Sequence, residues 1–84
     1  MKTEIGVFAR QWQDLWTTEI FVNGKSVKII HEGKVPYMEV ALDWLLDNKY
    51  VSGFGSLTDM RARDIIRLTH HSFQVKLKRD LKEI

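Results

Sequence analysis

Residues 19–32, EIFVNGKSVKIIHE, constrain the fold more than any other part of the chain. A type I′ turn needs two successive residues with φ > 0, and Asn23-Gly24 supplies them at little steric cost. Apolar residues alternate on both sides, which predicts a β-hairpin. With Asn23 and Gly24 as the loop, Val22 faces Lys25, Ile20 faces Val27 and Thr18 faces Ile29. Ile20, Val22, Val27 and Ile29 then share one face, and Glu19 lies opposite Lys28 on the other as an attractive cross-strand pair. A slip of one residue would swap the faces. Phe21 and Ile30 are left on the wetter side.

The rest of the chain supplies the partners for this hairpin. Ile5, Val7 and Ala9 alternate with Glu4, Gly6 and Phe8, which predicts a strand over residues 3–10. Gln11 to Leu15 reads as a connection holding Trp12. Pro36 suits a helix start, where a missing N–H costs nothing. Tyr37 to Asn48 follows as a helix that is apolar around most of its circumference, with Glu39, Asp43 and Asp47 as its one polar stripe. Ser52 to Ser56 is a glycine-rich loop. It lacks the Gly-Lys-Ser/Thr ending of a P-loop and the G-x-G-x-x-G spacing, so it reads as a turn. Ser56-Leu-Thr-Asp59 matches a capping box and predicts a second helix reaching Thr69. Residues 72–79 alternate like a strand, although Phe73, Leu77, Leu81 and Ile84 also fall on a helical stripe. The strand reading is preferred because Val75 belongs only to the alternation.

These elements predict an α+β fold: a small antiparallel sheet of three to four strands with two helices packed on one face, in the order β-β-β-α-α-β. The expected core is Ile20, Val27, Ile29, Leu42, Trp44, Leu45, Ile65, Leu68, Val75 and Leu77. The other sheet face has no predicted helix to cover it, which leaves Phe8, Trp12, Phe21 and Ile30 as an exposed apolar surface.

A chain of 84 residues makes one domain, residues 1–84, with room for one modest core. It contains no cysteine, which removes disulfides, thiol catalysis and thiolate metal sites. Glu4 stands where a signal peptide would be apolar, and no apolar run is long enough to span a bilayer. The expectation is a cytoplasmic protein, complete as given. The net charge of +2 is unevenly spread. Residues 1–56 carry six Lys/Arg against seven Asp/Glu, and residues 57–84 carry seven against four. This excess is mild for a domain built to hold phosphate backbones.

The candidate site residues form three groups. Trp12, Trp16 and Phe21 lie outside the clearest core positions, and such rings are common anchors of protein interfaces. Glu39, Asp43 and Asp47 repel one another along the helix. They form a solvated face, pair with Arg63 and Arg67 on the second helix, or dock a basic partner surface. Arg61, Arg63, Arg67, Lys76, Lys78 and Arg79 are an ordinary charged face or the phosphate partners of a nucleic acid. His31, His70 and His71 have no metal-ligand spacing, so no metal or other cofactor is expected. No nucleophile motif and no cleft-forming carboxylate pair is present, so no enzymatic activity is expected.

The function expected from these observations is a non-catalytic protein-binding modulator: an inhibitor, adaptor or regulatory protein that occupies a partner surface. In size and general layout the chain is similar to small phage-encoded inhibitors of host or defence proteins, anti-CRISPR proteins among them. No motif carries that likeness. The alternative is a small basic nucleic-acid-binding domain using the second helix and the last strand. An exposed final strand also offers a homodimer through its edge.

Overall fold

Both tight turns depend on left-handed backbone. Gln13 (φ 54°) joins β1 (Thr3–Trp12) to β2 (Leu15–Val22), and Asn23 (φ 53°) with Gly24 (φ 83°) joins β2 to β3 (Lys25–Gly33). The computed structural model describes residues 3–53, 55 and 65–82. After β3 come α1 (Tyr37–Asp47), β4 (Ile65–Gln74) and a short 3-10 helix (Lys78–Lys82). The sheet order is β3-β2-β1-β4, with β2 antiparallel to β1 and β3, and β4 parallel to β1.

The sheet is therefore mixed, and one α-helix rather than two is present among the described residues. Residues 65–69, expected to end a second helix, open β4 instead. The remainder of that expected helix, residues 56–64, lies outside the described residues. Ile65, Ile66 and Thr69 are β-branched and suit a strand better than a helix. The parallel direction follows from topology. β3 runs the same way as β1, α1 carries the chain back, and β4 then runs alongside β1. The last strand, expected over 72–79, stops earlier. Val75 still donates its N–H to the Gln11 carbonyl (2.9 Å), after which the chain bends into the 3-10 helix.

The first connection is also tighter than expected. Trp12 pairs with Leu15, so the turn is only Gln13-Asp14, and both tryptophans lie in strands rather than in a loop. A left-handed glutamine is unfavourable. The Gln11 side-chain amide donates to the Gln13 carbonyl at 3.0 Å and ties that turn down.

The second hairpin begins in the predicted register and then departs from it. Val22 faces Lys25 and Phe21 faces Ser26, but beyond them Ile20 faces Lys28, Glu19 faces Ile29 and Thr18 faces Ile30. Val27 is the extra residue of a β-bulge. The bulge swaps Ile29 and Ile30: Ile30 joins Val27 against the core, and Ile29 turns to the opposite face. The predicted Glu19–Lys28 pairing is lost, and the Glu19 carboxylate accepts from the Ser26 hydroxyl at 2.6 Å.

α1 covers one face of the sheet, called here the first face. Its Ala41 and Leu45, one turn apart, pack with Ile5, Val7, Ile20, Val22, Val51 and Ile65 in the buried cluster. Leu42, Trp44, Leu68 and Val27 line that cluster half-buried, as expected. Two other expected core residues lie elsewhere: Val75 is half-buried and Leu77 is 49% exposed. The second face is partly covered too. The 3-10 helix lies across β1, β2 and β3 there and buries Leu81 completely. The Arg10 guanidinium donates to the Asp80 carbonyl at 2.8 Å and fixes the helix to β1. Ile29 is half-buried on this face.

Candidate binding face

The part of the second face that the 3-10 helix leaves open carries the densest grouping of rings and charges. Alternation along β1 turns Glu4, Gly6, Phe8, Arg10 and Trp12 to this side. Pairing brings Phe21 beside Gly6 from β2, and Arg67, Thr69, His71 and Phe73 opposite Glu4, Gly6, Phe8 and Arg10 from β4. Phe8 stands in the middle. Its ring packs edge-to-face with Phe21 (centroids 5.4 Å, 82°) and stacks on His71 (5.7 Å, 16°). The result is a ring row, Phe21–Phe8–His71, across three strands.

Gly6 makes a notch beside this row. With no side chain there, Glu4, Phe8, Phe21, Arg67 and Thr69 surround an open hollow of about 220 Å³. A Cβ at Gly6 would lie 3.4 Å from both Phe21 Cβ and Phe8 Cε2, so a methyl fits but anything larger fills the hollow. On the other side of Phe8, a second hollow of about 130 Å³ is bordered by Arg10, Glu19 and Phe73. The Arg10 guanidinium lies 5.7 Å from the Phe73 ring centroid, a cation–π distance. Each hollow thus offers an aromatic wall, one guanidinium and one carboxylate. Each is smaller than an ordinary small-molecule site and matches a single side chain better.

The residues singled out from sequence are dispersed. Trp12 and Phe21 share the second face but sit near opposite ends of the β1–β2 ladder, about 20 Å apart along the strand. Trp12 is instead accompanied by Lys78, whose Nζ is 5.9 Å from its ring centroid. Trp16 is on the first face, where its ring lies 5.4 Å from Tyr37 and the Tyr37 hydroxyl is 3.0 Å from His70 Nδ1. Glu39, Asp43 and Asp47 are all exposed on α1. Arg67 is exposed on the second face, away from α1, so it does not pair with that stripe. Arg61 and Arg63 lie outside the described residues. Lys76, Lys78 and Arg79 are exposed around the 3-10 helix.

Phe8, named from sequence as exposed apolar surface, is the centre of the site, whereas Ile30, named with it, is turned into the core by the bulge. Arg10, His71 and Phe73 were missed as members of this face. Their signal was the alternation Arg67, Thr69, His71, Phe73, which the capping-box reading of residues 56–69 hid. Among the described residues no group of three or more His, Cys, Asp or Glu is placed to hold a metal ion. Among them, too, no helix is long and apolar enough to cross a membrane. The chain matches no family model, no curated protein and no solved structure.

Proposed function

We propose that the protein is a non-catalytic module that binds another protein through the open second face, acting as an inhibitor, adaptor or regulator by occupying a partner surface. One observation carries this reading: the Phe21–Phe8–His71 row is flanked by two side-chain-sized hollows, each with an arginine and a glutamate at its rim. Aromatic and arginine anchors in small, desolvatable pockets are the usual energetic centres of protein interfaces. The same rings and guanidinium groups would also suit stacking of unpaired bases. Glu4 and Glu19 weigh against that alternative, because a phosphate chain laid along the row would meet both carboxylates.

The test is a capture experiment from host lysate with the wild type, Gly6→Leu, Trp16→Ala and Asp43→Lys. A protein kept by the wild type, Trp16→Ala and Asp43→Lys but lost by Gly6→Leu supports the second face. Loss by Trp16→Ala or Asp43→Lys with retention by Gly6→Leu overturns it. Tight binding of single-stranded DNA or RNA, steeply weakened by salt, would assign the face to nucleic acid instead.

A further inference from the structure

β4 is the outer strand of the sheet and, among the described residues, β1 is its only strand partner. Two hydrogen bonds set the direction of its backbone groups. The Val75 N–H reaches the Gln11 carbonyl, so odd-numbered residues of β4 turn their peptide groups inward to β1. The Asn23 N–H reaches the Glu4 carbonyl, so even-numbered residues of β1 turn theirs to β2, which is the same phase. Leu68, His70 and Ser72 therefore direct their N–H and C=O groups outward.

The two sheet edges are treated differently. β3 is interrupted by two register shifts and carries the exposed lysines Lys25 and Lys28, devices that discourage strand addition. β4 has neither. Its pairing with β1 runs without a shift from Arg67 to Gln74, Arg67 is its only Lys, Arg, Asp or Glu, and it has no proline. Ile66 (61%) and Phe73 (56%), near its two ends, are among the most exposed large apolar residues described.

We propose that β4 pairs antiparallel with β4 of a second copy about a twofold axis at His70. A twofold normal to the sheet requires facing residues to share a face, so even positions meet even and odd meet odd. Centring on His70 pairs the regular stretch 67–73 with itself. Leu68 then faces Ser72 of the second copy through the open hydrogen-bonding groups. On the second face Thr69 meets His71 of that copy, and Arg67 meets its Phe73. No like charges are brought opposite one another. The Arg67–Phe73 contact repeats the one Arg10 already makes with Phe73 in the register of β1 and β4. The two open faces become one surface, with the Phe21–Phe8–His71 row of one copy leading into that of the other. This pairing rests on the strand edge alone and stands whether or not the proposed partner is a protein.

Light scattering of the wild type from micromolar to millimolar concentration, together with cysteine cross-linking, tests it. The chain has no cysteine of its own, so each variant carries one thiol. Facing residues at Thr69 and His71 sit about 4.5 Å apart between Cα atoms. Like positions are offset by two residues, beyond the roughly 7 Å that a disulfide can bridge. The wild-type mass should rise to twice that of the chain. Under mild oxidation an equimolar mixture of Thr69→Cys and His71→Cys should cross-link, while each variant alone stays uncross-linked. A wild type that remains monomeric at every concentration overturns the proposal. So does a dimer whose mixture fails to cross-link, and so does a β4 edge whose amides slow in hydrogen exchange only when a captured partner is added. Loss of partner capture by Gly6→Leu with dimerisation intact would leave the two readings separable.

Discussion

Leu81→Ala removes the one fully buried side chain that the 3-10 helix contributes. Leu81 lies outside the main cluster beneath α1, on the second face, so its neighbours belong to a separate small core. Truncating a fully buried leucine costs about 2–5 kcal/mol, the spread reflecting how far the site collapses. Here collapse is limited by the stiff sheet on one side, but the 3-10 helix can lift away, which favours the lower half of that range. A domain of this size has a total stability of roughly 4–13 kcal/mol. A loss of about 2–3 kcal/mol would lower the melting temperature by on the order of 10–20 °C. Urea denaturation followed by circular dichroism measures it directly, with Leu77→Ala as the control because Leu77 is 49% exposed. The control should change stability by no more than about 0.5 kcal/mol. A loss for Leu81→Ala as small as that of the control would show that the 3-10 helix is not docked on the second face.

Three further outcomes follow from named contacts. The Thr18 hydroxyl is buried and finds no hydrogen-bond partner among the described residues, so Thr18→Val should stabilise by about 1 kcal/mol in the same urea assay; a loss would mean that the hydroxyl is bonded. Gly6→Ala places its methyl at ordinary contact distance and removes the flexibility of a mid-strand glycine, so stability should hold or rise by roughly 0.5–1 kcal/mol, and a marked loss would contradict the notch geometry. The bulge at Val27 places Thr18 opposite Ile30, so cross-strand NMR contacts should link that pair; contacts from Thr18 to Ile29 in their place would restore the unbulged register.

The hairpin turn was legible because Asn-Gly is chemically specific: the two φ > 0 angles appear where they were expected. α1 was legible too, since the run after Pro36 is too long and too broadly apolar to sit as a strand. The bulge was not, because the run Val27-Lys28-Ile29-Ile30 satisfies either register until the second face is known to be covered. That cover comes from the 3-10 helix, which packs against β3 from more than forty positions further along the chain. The Gln13-Asp14 turn escaped because neither residue prefers left-handed backbone, so the facing ends of the two strands read as a connection over Gln11 to Leu15 with the tryptophans beside it. β4 escaped because the capping-box match at Ser56 outweighed its β-branched start. The candidate site suffered from the same long-range dependence. Phe8, Phe21 and the basic residues were visible singly, but their meeting depends on β4 lying beside β1, which no local pattern encodes.

Side-chain oxidation footprinting tests the binding face most directly, because the aromatic residues are divided between the two sides of the sheet. Hydroxyl radicals would be applied to the protein alone and to the protein with its captured partner. The account predicts that Phe8, Phe21 and Phe73 become protected while Trp16, Tyr37 and Tyr50 keep their reactivity. Protection of Trp16 and Tyr37 with Phe8 and Phe73 unchanged would contradict it.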